Sequence, residues 1–250
     1  MIEKIKYLMS KKAFHLCVVI VIISIVLFTL GIILLKYSVE GETNLPFKLK
    51  KIIIISSSEG IDKQSEGNKW AFDINQNNDI YFYIEKNRNY GKQEIIKSVL
   101  INNINVEKEK KENIKFYKPN TEEKGGIFNN IKENEIQTIE YLGGMETDLK
   151  NLKISNQGGL IAFRYSNEKI AEYISNDEVI NHNELLKKAE VKEEILKTKL
   201  NLDFTLKMES GKEYKASISL EMPVEGIVEK GTTSREITDL TNIVFKRVKK

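Results

Sequence analysis

Cysteine, histidine, tryptophan and proline are all scarce in this chain of 250 residues, and most of these scarcities close a class of chemistry. The one cysteine, Cys17, sits inside an apolar run near the N-terminus. The rest of the chain therefore has no disulfide staple, and at about 200 residues it is large enough to bury a core without one. A sortase-like transpeptidase, which needs a cysteine nucleophile beyond the run, is excluded. Of the two histidines, His15 also belongs to the run, which leaves His182 alone. One histidine does not make a two-His or three-His metal site, and His182 is expected at the surface beside a helix start. The three prolines, Pro46, Pro119 and Pro223, do not stand in the Ser-x-Met-x-Pro setting of a type I signal peptidase serine. A basic stripe is missing too: beyond residue 36 there are 34 basic residues against 35 acidic ones. Nucleic acid needs clustered phosphate-neutralising charge, so it is excluded as a partner.

What the chain does have is the run itself, "AFHLCVVIVIISIVLFTLGIILL", residues 13–35, 23 residues without a charge. As a helix it would be about 35 Å long, enough for a hydrocarbon core of about 30 Å. It is longer than the apolar region of a cleaved signal peptide, and the exit Ile33-Leu34-Leu35-Lys36-Tyr37 has no small-x-small cleavage site. The expectation is an uncleaved, single-pass signal-anchor: a transmembrane helix whose partner is the lipid bilayer. Lys4, Lys6, Lys11 and Lys12 precede it and Lys36 follows, so the positive-inside rule puts residues 1–12 in the cytoplasm. Residues 36–46 then form a juxtamembrane spacer, and 47–250 an extracytoplasmic domain. Two subdomains dividing near 143–150 are the alternative.

From Phe47 onward the apolar period is two, the period of strands. Ile52 to Ile55, the set Trp70, Phe72 and Ile74, the set Ile80, Phe82 and Ile84, and a long stretch Ile95 to Val106 bent near Asn102-Asn103 are expected strands. Shorter ones are expected at 114–117, 138–142, 152–154, 160–165 and 170–174, with a last one from Leu240 to Val248. Asn75-Gln76-Asn77-Asn78-Asp79 has the composition of a turn. Asn183 is expected to cap a short helix, 184–189. The clearest element is a hairpin around Glu209-Ser210-Gly211. A three-residue loop sets Leu206 opposite Tyr214, Phe204 opposite Ala216, Leu202 opposite Ile218 and Leu200 opposite Leu220. It also pairs Lys207 with Glu213 and Lys199 with Glu221, and puts Gly211 at the left-handed position. Some ten strands with one short helix predict a mainly β chain: an antiparallel β-sandwich, Ig-like or related, behind the transmembrane helix.

No motif supplies an activity. Ser166-Asn167-Glu168-Lys169 matches the Ser-x-x-Lys of penicillin-binding enzymes, but two common residue types meet that spacing by chance and Lys-Thr-Gly is missing. Asp73-x-Asn75-x-Asn77-Asn78-Asp79 partly resembles a calcium loop. It has no glycine at the sixth position and Ile84 at the twelfth, where glutamate is needed. Gly143-Gly144 and Gln157-Gly158-Gly159 read as tight turns. Tyr81, Tyr83, Tyr90, Tyr165 and Tyr173 suit a carbohydrate or peptide groove, and equally suit strands. No catalytic residue, metal ligand or cofactor site is assigned.

Four stretches, "YSVEGETNLPFKL", "NDIYFYIEKN", "ISNQGGLIAFRYSN" and "LEMPVEGI", with the basic N-terminus and the single span, resemble anchored β-rich envelope proteins of low-GC Gram-positive bacteria. The resemblance implies a location in the cell membrane with the domain outside, and implies no activity. The expected function is a non-enzymatic, membrane-anchored domain that binds or scaffolds an envelope protein or wall polymer. The alternative is a wall-glycan hydrolase using paired carboxylates.

Overall fold

The computed structural model describes residues 2–39, 45–63, 69–107, 113–119, 128, 138–143, 154–175 and 180–248, and within the N-terminal helix the side chains of 3, 7, 10–12, 15, 16 and 18–34. The chain divides into two compact units, 1–43 and 44–250. The first is α1 (Ile2–Val39). Thr29 Oγ1 donates back to the carbonyls of Ile25 and Val26, at 2.9 Å each, so its polarity is absorbed within the helix. Among the described residues no helix is long and apolar enough to cross a membrane.

The second unit is mainly β. In chain order it comprises β1 (Phe47–Lys63), β2 (Trp70–Lys86), β3 (Ile96–Glu107), β4 (Ile114–Tyr117), β5 (Ile139–Leu142), β6 (Ile154–Ser155) and β7 (Gly158–Ser175). A short 3-10 turn, His182–Glu184, leads into α2 (Leu185–Lys188) and α3 (Glu193–Leu196). Then come β8 (Lys199–Met208), β9 (Glu213–Glu221), α4 (Ile227–Lys230), β10 (Thr232–Ile237) and β11 (Lys246–Arg247). One antiparallel sheet has the order β10-β1-β2-β7-β4, with β6 also on β7; the other has the order β11-β9-β8-β3-β5. The two sheets pack face to face, a sandwich-like arrangement. The division considered near 143–150 falls, from 144 to 150, outside the described residues.

Period-two alternation builds the core. Phe82 of β2 lies 6.1 Å from Phe163 of β7 and 5.1 Å from Phe204 of β8, ring centre to ring centre, and all three are fully buried. Tyr141 of β5 donates its hydroxyl to the carbonyl of Ala162 on β7 at 2.6 Å, a hydrogen bond between the sheets. The strands β2 and β7 also contribute to a second apolar cluster. There Phe72 and Ile74 pack with Leu185, Leu186, Val191, Leu196, Val224 and Ile227, residues of the short helices and the segments around them.

The hairpin has the register that the sequence predicts, from Lys199 opposite Glu221 to Lys207 opposite Glu213, and Gly211 has φ +81°. The ion pairs of these lysines run away from β9: Lys199 reaches Glu107 of the neighbouring β3 at 3.6 Å, and Lys207 reaches Glu140 of β5, the strand beyond β3, at 3.2 Å. The bend near Asn102-Asn103 is a register shift in the β3–β8 ladder, with Asn103 at φ 50°.

Four expectations are corrected. Asn75–Asp79 is not a turn but the middle of β2. The segments 160–165 and 170–174 are one strand, β7. The cap of the 182–188 segment is Asn181, whose side chain accepts from the N–H of Asn183. Near the C-terminus the longer strand is β10, a polar edge strand on β1, and β11 is only two residues. His182 is exposed, its ring edge-on to Phe72 at 5.7 Å.

Candidate functional site

The polar middle of β2 is the unusual feature of the fold. Gln76, Asn77 and Asn78 are buried in a strand whose flanks are Ile74 and Ile80. Buried polar groups need partners, and alternation divides these residues between the two faces of the sheet. On the inner face Ser56 donates to Asn78 Oδ1 at 2.6 Å, and Gln76 donates to the Leu196 carbonyl at 3.0 Å. Tyr165 and Thr198 share a short hydroxyl contact. This inner belt lies between the sandwich core and the second cluster.

On the outer face the same strands line a cleft of about 540 Å³. Asp73, Asn75 and Asn77 come from β2, Glu59 and Ile61 from β1, Arg164, Ser166, Glu168 and Lys169 from β7, and Tyr117 from β4, with Phe128 at its side. A β-bulge shapes it. Ile74 pairs with Ala171 and Gln76 with Asn167, so Asn75 alone opposes residues 168–170. Lys169 there takes φ 51°, which is uncommon for a side chain with a Cβ, and its N–H donates to Asn75 Oδ1 at 2.9 Å. The bulge re-aims Glu168 and Lys169 into the cleft.

Each acid of the cleft meets a donor. Asn77 donates to Glu59 at 2.5 Å, and Ser166 donates to Asn77 Oδ1 at 2.5 Å. Glu168 accepts from the Tyr117 hydroxyl at 2.8 Å and pairs with Lys115 at 3.0 Å. Asp73 pairs with Lys63 at 2.5 Å and, more loosely, with Lys169 at 3.6 Å. Arg164 makes a two-pronged bond to Asp79, 2.6 and 3.0 Å, and lies 4.9 Å from the centre of the Phe128 ring. Burial works against the Arg164 charge, and the Asp79 bonds outweigh it, so its pKa is raised. Hydrogen bonds from Lys63 to Asp73 and Glu172 likewise raise the Lys63 pKa. Beside the cleft, burial pushes Tyr81 up to about 12. These cations stay charged and this phenol stays neutral at physiological pH.

This arrangement does not set Ser166 up as a nucleophile. A serine nucleophile needs a base to take its proton. Ser166 is buried and gives its proton to an amide oxygen, while Lys169 turns to Asp73. The Ser-x-x-Lys match is therefore brought to the cleft without the Ser–Lys relation that chemistry needs. The calcium-like stretch also reaches the cleft, as one face of a strand rather than as a loop. None of Tyr81, Tyr83, Tyr90, Tyr165 and Tyr173 lines it. Gly158 and Gly159, expected in a tight turn, are the first residues of β7; Gly158 has φ +105°, and the Ile84 carbonyl lies where a Cβ would stand. Sequence reasoning missed the cleft because it read Asn75–Asp79 as a turn, but parity gave a signal. Trp70, Phe72, Ile74, Ile80, Phe82 and Ile84 are all even-numbered, so one uninterrupted strand carries them on one face.

No protein family, curated protein or solved structure matches this chain in comparisons with known proteins.

Proposed function

We propose that the chain is a membrane-tethered, extracytoplasmic β-sandwich that binds an envelope partner without catalysing a reaction. The single observation that carries the binding reading is the cleft on β1, β2 and β7, polar and buttressed, whose acids are already engaged by cations or amide and hydroxyl donors. Such a site offers recognition and has no poised nucleophile. The tether reading is supported by the uncharged run 13–35 and by the exposure of its apolar side chains all round the helix, Phe28 at 71% and Leu27 at 63% among them. An exposed apolar surface of that extent calls for lipid or an apolar partner. The lysines ahead of the run support an N-terminus in the cytoplasm. The Ig-like label for the body rests on strand spacing in the sequence alone.

The test is capture from intact cells. The full chain is cross-linked in place, solubilised and recovered alongside an Ile61→Ser/Lys169→Gly variant. The expected result is an envelope component recovered with the native chain and lost with the variant. Recovery of nothing above background contradicts the proposal.

The wall-glycan hydrolase reading draws on one observation, the convergence of Glu59, Asp73 and Glu168 on one cleft. It predicts wall-clearing activity that Glu168→Gln abolishes; the binding reading predicts none in either chain.

A further inference from the structure

We infer that the cleft on β1, β2 and β7 is a binding site for an uncharged saccharide. The inference rests on the binding reading above and adds the chemistry of the ligand. Charge decides first. Around the cleft Asp73, Asp79 and Glu168 are paired with Lys63, Arg164 and Lys115, Lys169 lies 3.6 Å from Asp73, and Glu59 accepts from the Asn77 amide. An anionic ligand, or a cationic one at Asp73, Asp79 or Glu168, would have to break an existing pair and leave its partner uncompensated, which is costly in a partly buried site. Hydroxyl groups avoid that conflict. Each one donates and accepts, so it can give to Glu59 or Glu168 and take from Lys169 or Asn75 while the ion pairs stay intact.

Shape and apolar contact agree. The volume of about 540 Å³ lies inside the range of small-ligand sites, about 300–1,000 Å³. Ile61, 44% exposed, and the half-buried Tyr117 give apolar surface for the C–H faces of a sugar ring. The backbone strain at Lys169 is placed where a ligand would gain from it. A non-glycine residue at positive φ is strained and tends to persist at ligand sites, and here it presents Lys169, the one lysine among the described residues that line the cleft.

The full chain in detergent micelles is titrated by calorimetry with three probes: the N-acetylglucosamine monomer, its tetramer, and poly(glycerol phosphate), a polyanion. Each titration is run at about 0.05 and about 0.5 M salt, which separates screened from unscreened attraction. The expected result is saturable sugar binding that changes less than about twofold with salt. The Ile61→Ser/Lys169→Gly variant weakens it about tenfold, with no fall in melting temperature. Tighter binding of the tetramer assigns the site to a glycan chain, and equal binding of the monomer assigns it to a free sugar. No saturable sugar binding, binding that the variant leaves unchanged, or salt-sensitive preference for the polyanion overturns the inference. If sugar binding fails while envelope capture persists and is lost in the variant, only the saccharide is wrong. If capture fails as well, the binding reading falls with it.

Discussion

Lys169 and Gly158 show how single positions of β7 are constrained. Lys169 has φ 51°, so glycine there removes the Cβ strain. Lys169→Gly is expected to raise stability by up to about 1 kcal/mol in denaturant titration, and Lys169→Val to lower it by about 1–2 kcal/mol. Gly158 is different in kind. A Cβ there would sit 2.1 Å from the Ile84 carbonyl oxygen, a backbone atom, at φ +105°. Gly158→Ala is expected to cost about 3 kcal/mol or more, because neither strand can yield without losing its ladder. Gly211, at φ +81° with open space around it, is expected to cost only about 1 kcal/mol on the same change. The difference between the two midpoint shifts measures steric conflict apart from backbone preference.

Glu94 governs part of the pH response at the same scale. Burial tends to raise its pKa, and hydrogen bonds from Lys212 and Ser210 outweigh that, leaving it lowered. A carboxyl lowered on folding stabilises the fold above its ordinary value of about 4.5, and that contribution is lost as pH falls through the folded value. Glu94→Gln is therefore expected to melt earlier than the native chain at neutral pH. The gap should close as pH is taken below about 4.5, read as melting temperature against pH.

At the scale of elements, what the sequence made legible was local. The β8–β9 register followed from two matched alternations and one loop length, with Gly211 to confirm it. The middle of β2 was not legible by composition, since Asn, Gln and Asp favour turns when they are exposed. Here they are held in a strand by partners distant in sequence: Ser56, Glu59, Arg164 and Leu196. β10 was missed for a related reason. Thr-Thr-Ser-Arg-Glu-Ile has little apolar alternation, and its strand exists because β1 offers it a ladder. The cleft inherits the same illegibility, because its residues come from β1, β2, β4 and β7. Asn78→Leu tests the inner belt. It leaves the buried Ser56 hydroxyl without its acceptor, and a loss of about 1–3 kcal/mol in denaturant titration is expected. Ser56→Ala combined with Asn78→Leu should recover part of that loss, since both partners are then apolar.

For the whole molecule, the proposed function requires the apolar helical run to lie in the cell membrane and the β-body to lie outside it. Protease shaving of intact protoplasts tests that arrangement most directly. With the full chain in place, the account predicts that external protease removes the β-body, residues 44–250, while an epitope at the N-terminus stays protected until the membrane is permeabilised. A body that survives shaving intact and is cut only after permeabilisation contradicts it.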